Sequence, residues 1–208
     1  MSLDRRGFLK TGVALAVGGA AAPLVGGCRL ESRAELTDDS FHDLRDQYFR
    51  AQLRRNPVTS TYLGGEGWDP DLQSLNDRLR DYSAGGLADE ARELRVFQQS
   101  LSTTDYALLD PQARIDFDVV AAQLAFLLNQ HDRRYHERAV DTYVAEPFRG
   151  VDWQIQQMRS FDGGKLGDES EWRAVVNRLS VIPRYLAVAR ENIAAGRRSG
   201  NLPDHRMV

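Results

Sequence analysis

The chain has 208 residues, a formal charge of −3 and 27% charged residues, enough length for one domain with a real core. Its mild acidity argues against a nucleic-acid partner, which requires a basic face. Cys28 is the only cysteine, so no intrachain disulfide can form.

The first element is a targeting segment. Ser2-Leu3-Asp4-Arg5-Arg6-Gly7-Phe8-Leu9-Lys10 carries paired arginines followed by Phe8 and Leu9, the pattern of a twin-arginine export signal. The stretch Val13 to Val25 is rich in Ala and Gly. It is too short and too weakly apolar to span a bilayer comfortably but suits the middle of a signal peptide. Gly26-Gly27-Cys28 resembles a bacterial lipoprotein processing box, which predicts a diacylglycerol on the Cys28 thiol. At ~0.8 kcal/mol per buried methylene, two or three acyl chains hold a protein firmly to a bilayer. Ordinary cleavage near Ala22, leaving Cys28 as a free thiol, is the alternative. The expected organisation is a signal over 1–28, a polar tether over 29–36 and a helical domain over 37–208. The expected partners are the twin-arginine translocase and, through lipid on Cys28, a membrane. The expected location is periplasmic or otherwise extracytoplasmic.

Beyond the tether, Thr37 with Asp38 and Asp39 predicts a helix start. Phe41, Leu44, Tyr48 and Ala51 recur at helical spacing, and Asn56-Pro57 ends that helix. Pro57 to Pro70 reads as a loop, with Thr59 to Leu63 either extended or helical. Leu72, Leu75, Leu79 and Tyr82 form a second apolar stripe, which Gly85-Gly86 is expected to break. Leu87, Ala91, Leu94, Gln98 and Leu101 predict a third helix.

Ser102 to Asp105 caps it, and a short turn leads to Asp110-Pro111. Gln112 to Gln130 is the most apolar segment after the signal, so it is the expected central helix. Ile115, Val119, Ala122 and Phe126 are its expected buried row, widened by Val120, Leu124, Leu127 and Leu128. The pattern weakens over 131–148. Another helix is expected over 149–161 with Trp153, Ile155 and Met158. Asp162 to Gly167 is a Gly-rich turn, and Asp168-Glu169-Ser170-Glu171 caps the last helix. Trp172, Val175, Val176, Leu179, Ile182, Leu186, Ala189 and Ile193 then keep helical spacing; Pro183 should kink the helix, and Gly196 and Gly200 close it. No segment repeats and none alternates in strand fashion. The predicted fold is all-α, an irregular array of about six to eight helices after a cleaved signal segment.

No residue pattern in the chain points to a catalytic or a metal-ligating role. His131 and His136 lie five apart, on different helix faces, whereas zinc ligands on one helix prefer a spacing of four; they and His42 and His205 read as solvated loop residues. Asp116 and Asp118 point apart and read as partners for arginines on neighbouring helices rather than as an acid/base pair. Gly163-Gly164-Lys165 lacks the Ser or Thr and the preceding strand of a phosphate loop. Trp68, Trp153 and Trp172 read as core rather than pocket residues.

Several pieces together resemble the opening section of a bacterial family called domain of unknown function 885, or DUF885. They are Phe41-His42-Asp43-Leu44 with Tyr48-Phe49, Asn56-Pro57-Val58-Thr59-Ser60-Thr61-Tyr62-Leu63-Gly64, Asp81-Tyr82-Ser83, Arg114-Ile115-Asp116-Phe117-Asp118-Val119, and Leu179-Ser180-Val181-Ile182-Pro183-Arg184-Tyr185-Leu186, ahead of Gly196 and Leu202-Pro203. The resemblance covers Leu36 to about Val208. Members of that family resemble helical zinc metallopeptidases and are roughly three times longer. What the resemblance implies is an N-terminal section whose catalytic motif, a His-Glu pair followed by Pro-Gly-His, lies on a missing C-terminal section. Zinc would then belong to a full-length relative and no cofactor to this chain. None of the matching motifs is catalytic, so enzyme character rests on resemblance alone. A non-enzymatic envelope lipoprotein acting as a binding or scaffold module, and a nonfunctional gene fragment, are the competing readings. Helices that would pack on a missing section should expose an apolar patch.

Overall fold

The computed structural model describes residues 33–158 and 164–203. The export residues Arg5, Arg6, Phe8 and Leu9 and the lipidation residue Cys28 lie outside the described residues, as does His205.

Six α-helices follow one another: α1 (Arg33–Arg55), α2 (Pro57–Leu63), α3 (Ala84–Ser102), α4 (Pro111–Asp132), α5 (Val140–Gln157) and α6 (Glu169–Ser199). Short 3-10 helices occupy Gly65–Gly67, Pro70–Leu75, Tyr106–Leu108 and Tyr135–Glu137. No strand occurs among the described residues, so the all-α expectation holds. None of the described helices is long and apolar enough to cross a membrane.

Local chemistry sets most helix ends. α1 begins at Arg33 rather than Thr37, since Arg33-Ala34-Glu35-Leu36 are good helix formers with no breaker among them. Pro57 stops α1 and occupies the first turn of α2, where its missing N–H costs nothing; the helical alternative for residues 59–63 is the one adopted. Ser83 Oγ accepts the Gly86 N–H at 3.1 Å and caps α3. Gly85 and Gly86 therefore open that helix instead of breaking it. The reason is close approach: a Cβ at Gly86 would lie 2.7 Å from the Asp81 side chain. Asp110 caps α4 through the Gln112 and Ala113 N–H groups. Asp168 and Glu171 form a reciprocal capping box on α6. α5 starts at Val140, nine residues before the expected 149, and runs through Pro147. α6 likewise continues through Pro183 to a left-handed cap at Gly200.

Two main apolar clusters hold the array. α1, α3 and α4 bury Phe41, Tyr48, Leu94, Leu101, Ala113, Val120, Leu124 and Leu128 together. Tyr82, Leu87, Ala139, Tyr143, Tyr185 and Ala189 form the second, where α5 and α6 pack. A smaller cluster of Leu53, Leu72 and Leu75 sits under the 3-10 helix Pro70–Leu75.

Two helices turn a different row inward from the expected one. On α4, Leu124 is 1% exposed, as expected, but Phe126 is 61%, Ile115 57% and Val119 52% exposed. On α6, Val175, Arg178, Tyr185 and Ala189 are buried, while Val176 and Leu179 are exposed. Each helix carries two apolar rows, and contacts with distant segments select the one that packs. On α3 Phe97, not Gln98, packs against the core. The tryptophans are also corrected: Trp68 and Trp172 are exposed and Trp153 half-buried. Trp68 stacks edge-on to Phe49, Trp153 lies against Tyr62, and the Trp172 indole donates to the Leu166 carbonyl at 2.6 Å.

Candidate functional site

The most heavily charged interior of the described residues gathers around Arg80, in the segment between the 3-10 helix Pro70–Leu75 and α3. Its Nη1 donates to Asn56 Oδ1 at 2.7 Å, and its Nη2 donates to both Glu90 oxygens, at 2.6 and 2.8 Å. The Arg80 backbone N–H donates to Glu146 Oε1 on α5 at 3.0 Å. Its guanidinium carbon lies 4.9 Å over the Tyr82 ring. His131, near the end of α4, completes the group with Nε2 3.4 Å from Glu90 Oε2. One arginine thus ties α3 and α5 to the α1–α2 junction, and Glu90 brings in α4.

Glu90 occupies an apolar face, three residues after Leu87 and four before Leu94, and its side chain is 3% exposed. Burial alone would raise its carboxyl. The hydrogen bond with His131 and the charge of Arg80 outweigh that, holding it below the ordinary carboxylate range. Glu146 goes the other way: burial raises its carboxyl, and the Arg80 N–H and nearby cations only partly offset this. Two carboxyls bonded to the same arginine are therefore pushed apart, Glu90 toward the charged form and Glu146 toward the neutral one.

His131 is not a solvated loop residue. It sits in α4, its side chain 13% exposed. A cleft of about 180 Å³ opens beside it, lined by Arg80, Tyr82, Tyr135 and His136 among others. Burial pushes the His136 imidazole below its ordinary value, so it lines this cleft in neutral form at neutral pH. Glu90, held between the Arg80 guanidinium and the His131 imidazole, keeps its charge in place rather than passing protons on.

A second polar centre is Arg178 on α6, which is fully buried. Its guanidinium donates to the carbonyls of Arg78, Gly150 and Leu75, to Gln154 Oε1 and to Thr61 Oγ1, at 2.7 to 3.1 Å. Burial pushes this group down to about 10, with Asp77 and Glu146 opposing. It remains charged at neutral pH and serves as a clamp joining α2, α5, α6 and the segment after Leu75.

Of the expected site features, Asp116 pairs with Arg45 on α1 at 2.8 Å, as the spacing implied. Asp118 accepts from the Tyr106 hydroxyl at 3.3 Å. Gly164 and Lys165 lie in the turn that leads into the α6 cap, and Gly163 is outside the described residues. Among the described residues no three His, Cys, Asp or Glu side chains group to hold a metal. Arg80, Glu90, Glu146 and Arg178 escaped the sequence reading. A signal was present for two of them: Glu90 and Arg178 each interrupt an apolar row with a charge.

One family model matches the chain, "Bacterial protein of unknown function (DUF885)", over residues 57–208. The match opens at Pro57, so α1 lies before it. No curated protein and no solved structure matches.

Proposed function

The chain belongs to the DUF885 family, and we propose that it is the exported, lipid-anchored helical section of a metallopeptidase-like protein, supplying binding surface rather than catalytic groups. The observation that carries this reading is the second apolar row on two long helices. Ile115, Val119 and Phe126 on α4, and Val176, Leu179 and Leu186 on α6, follow helical spacing and stay exposed. Rows of this kind fit elements that pack against a further body of protein. The paired arginines Arg5 and Arg6 support the export route, and Gly26-Gly27-Cys28 supports the lipid anchor. Zinc, in this reading, belongs to a full-length relative.

The test is processing in a bacterium with an active twin-arginine pathway. The chain should appear outside the cytoplasm, membrane-bound and acylated. Arg5→Lys with Arg6→Lys should retain it in the cytoplasm, and Cys28→Ala should release it from the membrane. Export that ignores the arginine pair, or membrane retention without Cys28, overturns the corresponding half. The purified chain should bind peptides without cleaving them. Metal-dependent hydrolysis by this chain overturns the non-catalytic role, and failure to bind peptides leaves a scaffold lipoprotein instead.

A further inference from the structure

We infer that the cleft between the end of α1 and residues 75–81 binds a small ligand whose carboxylate is joined to an apolar body. The cleft measures about 150 Å³, and four arginines line it: Arg54, Arg55, Arg78 and Arg80. Two are committed within the protein, Arg55 to Glu93 at 2.8 Å and Arg80 to Glu90 at 2.6 Å. The other two are not. The nearest ion-pair contact of Arg54 is Asp69 at 4.0 Å, and that of Arg78 is Asp77 at 3.7 Å, both beyond hydrogen-bonding reach. Their side chains are 57% and 63% exposed, so both guanidinium forks keep free donors.

Two carboxylates also line the cleft, and each is engaged. Glu90 is held by Arg80, and Asp81 Oδ1 accepts the Ser83 N–H at 2.8 Å. Each of the four arginines has a carboxylate within 4.0 Å, so what the cleft offers is not net charge but the open N–H donors of Arg54 and Arg78. Two guanidinium groups with open donors beside several carboxylates suit one small anion and not a polyanion. The rest of the wall is apolar, from Pro57, Leu75 and Leu79. Guanidinium forks match the planar geometry of a carboxylate, and the apolar wall gives the attached carbon chain a place to leave water. The inference goes beyond the export and anchoring reading and does not depend on it.

Calorimetric titration of the purified full chain tests the assignment. Hexanoate should bind saturably with a Kd on the order of 1 mM. Hexanamide, which lacks the charge, and inorganic phosphate, which lacks the apolar body, should each bind at least about tenfold more weakly. The double variant R54Q/R78Q should weaken hexanoate about tenfold at unchanged helicity. R92Q, whose exposed guanidinium pairs with Asp89 on α3, should bind as the parent does. If the double variant loses helicity, R78Q alone gives the reading, since that side chain is mostly in solvent. Absence of saturable hexanoate binding, phosphate binding as tight as hexanoate, or equal affinity in the arginine variants overturns the assignment.

Discussion

Arg178 Nη2 donates to Thr61 Oγ1 at 2.8 Å, joining residues 117 positions apart. Thr61 passes the connection on, since its hydroxyl also contacts the Pro57 carbonyl and Asn76 Oδ1. The guanidinium spends its donors on three backbone carbonyls and two side chains with no carboxylate in direct contact, so its removal strands several buried acceptors at once. Arg178→Met should destabilise the fold by roughly 3–5 kcal/mol, and Arg178→Lys should recover only part of that because an ammonium cannot reproduce the fork. Urea unfolding followed by circular dichroism measures both; a loss below about 1 kcal/mol for the Met variant would contradict the clamp.

The pH behaviour of Glu90 follows from its lowered carboxyl. A group with a depressed folded-state value stabilises above its unfolded value, and that stability disappears as pH falls through the folded value. The contribution should therefore decline as pH falls below 4.5, and the ion pair with Arg80 should break only at the lower folded-state value. Glu90→Gln should cost roughly 3 kcal/mol at pH 7 and much less once the pH is low enough to protonate the parent carboxyl in the folded state. Equal losses at both pH values would show that the Glu90 charge contributes nothing.

Glu146 carries the opposite sign. Its raised carboxyl favours folding below the unfolded value, and this contribution is lost as pH rises through the folded value. At pH 7 Glu146→Gln should leave stability unchanged or raise it, because an amide oxygen can still accept the Arg80 N–H without a buried charge. A loss above about 1 kcal/mol at pH 7 would show instead that the Glu146 charge is needed beside Arg80 and Arg178.

Two rows of one helix provide an internal control. Leu124→Ala on α4 should cost roughly 2–5 kcal/mol, since that side chain is 1% exposed. Replacing Ile115, Val119 and Phe126 together with Gln should shift stability by no more than about 0.5 kcal/mol per site. The triple variant should also lower binding of a hydrophobic dye and any self-association at high concentration. Unchanged dye binding would mean the row does not form a continuous apolar surface.

Gly196 inside α6 and Gly200, the cap that follows it, lie four residues apart and should respond for different reasons. A Cβ at Gly196 would collide with the Glu137 carbonyl and approach the Asn201 carbonyl to 2.8 Å. Gly196→Ala should therefore cost roughly 1–3 kcal/mol and loosen the contact with the Tyr135–Glu137 turn. Gly200 has φ 74° with open space around it, so Gly200→Ala should cost only the left-handed backbone penalty of about 1 kcal/mol. Thermal unfolding of the two variants distinguishes crowding from backbone strain.

Much of the fold was legible because helix ends are local events. Asn56-Pro57, Asp110-Pro111 and the Asp168/Glu171 box act within a few residues, through a missing N–H, a blocked φ or a side chain that reaches the next turn. The Phe41, Tyr48, Ala51 row was equally plain, since α1 offers one dominant apolar face. The start of α5 was not legible, because its first half holds Tyr143, Val144 and Phe148 around Glu146 and Pro147, a pattern without a clear stripe. The candidate site was illegible for a related reason. Glu90 and Arg178 each interrupt an apolar row, but nothing local names their partners, Arg80 and His131 for one and Thr61 and Gly150 for the other, which arrive from elsewhere in the chain.

The sequence by itself determined that the described residues form helices, where most of them begin and end, and that α4 and α6 are apolar on more than one side. The tertiary structure alone decided which row of each goes inward. Ile115-Val119-Phe126 and Val120-Leu124-Leu128 are nearly equal in hydrophobicity, so transfer from water does not choose between them. The choice falls to shape and to hydrogen bonding with distant segments. Leu124 meets Phe41 and Leu94 in one cluster, and Arg178 finds five acceptors that exist only once α2, α5 and α6 have come together.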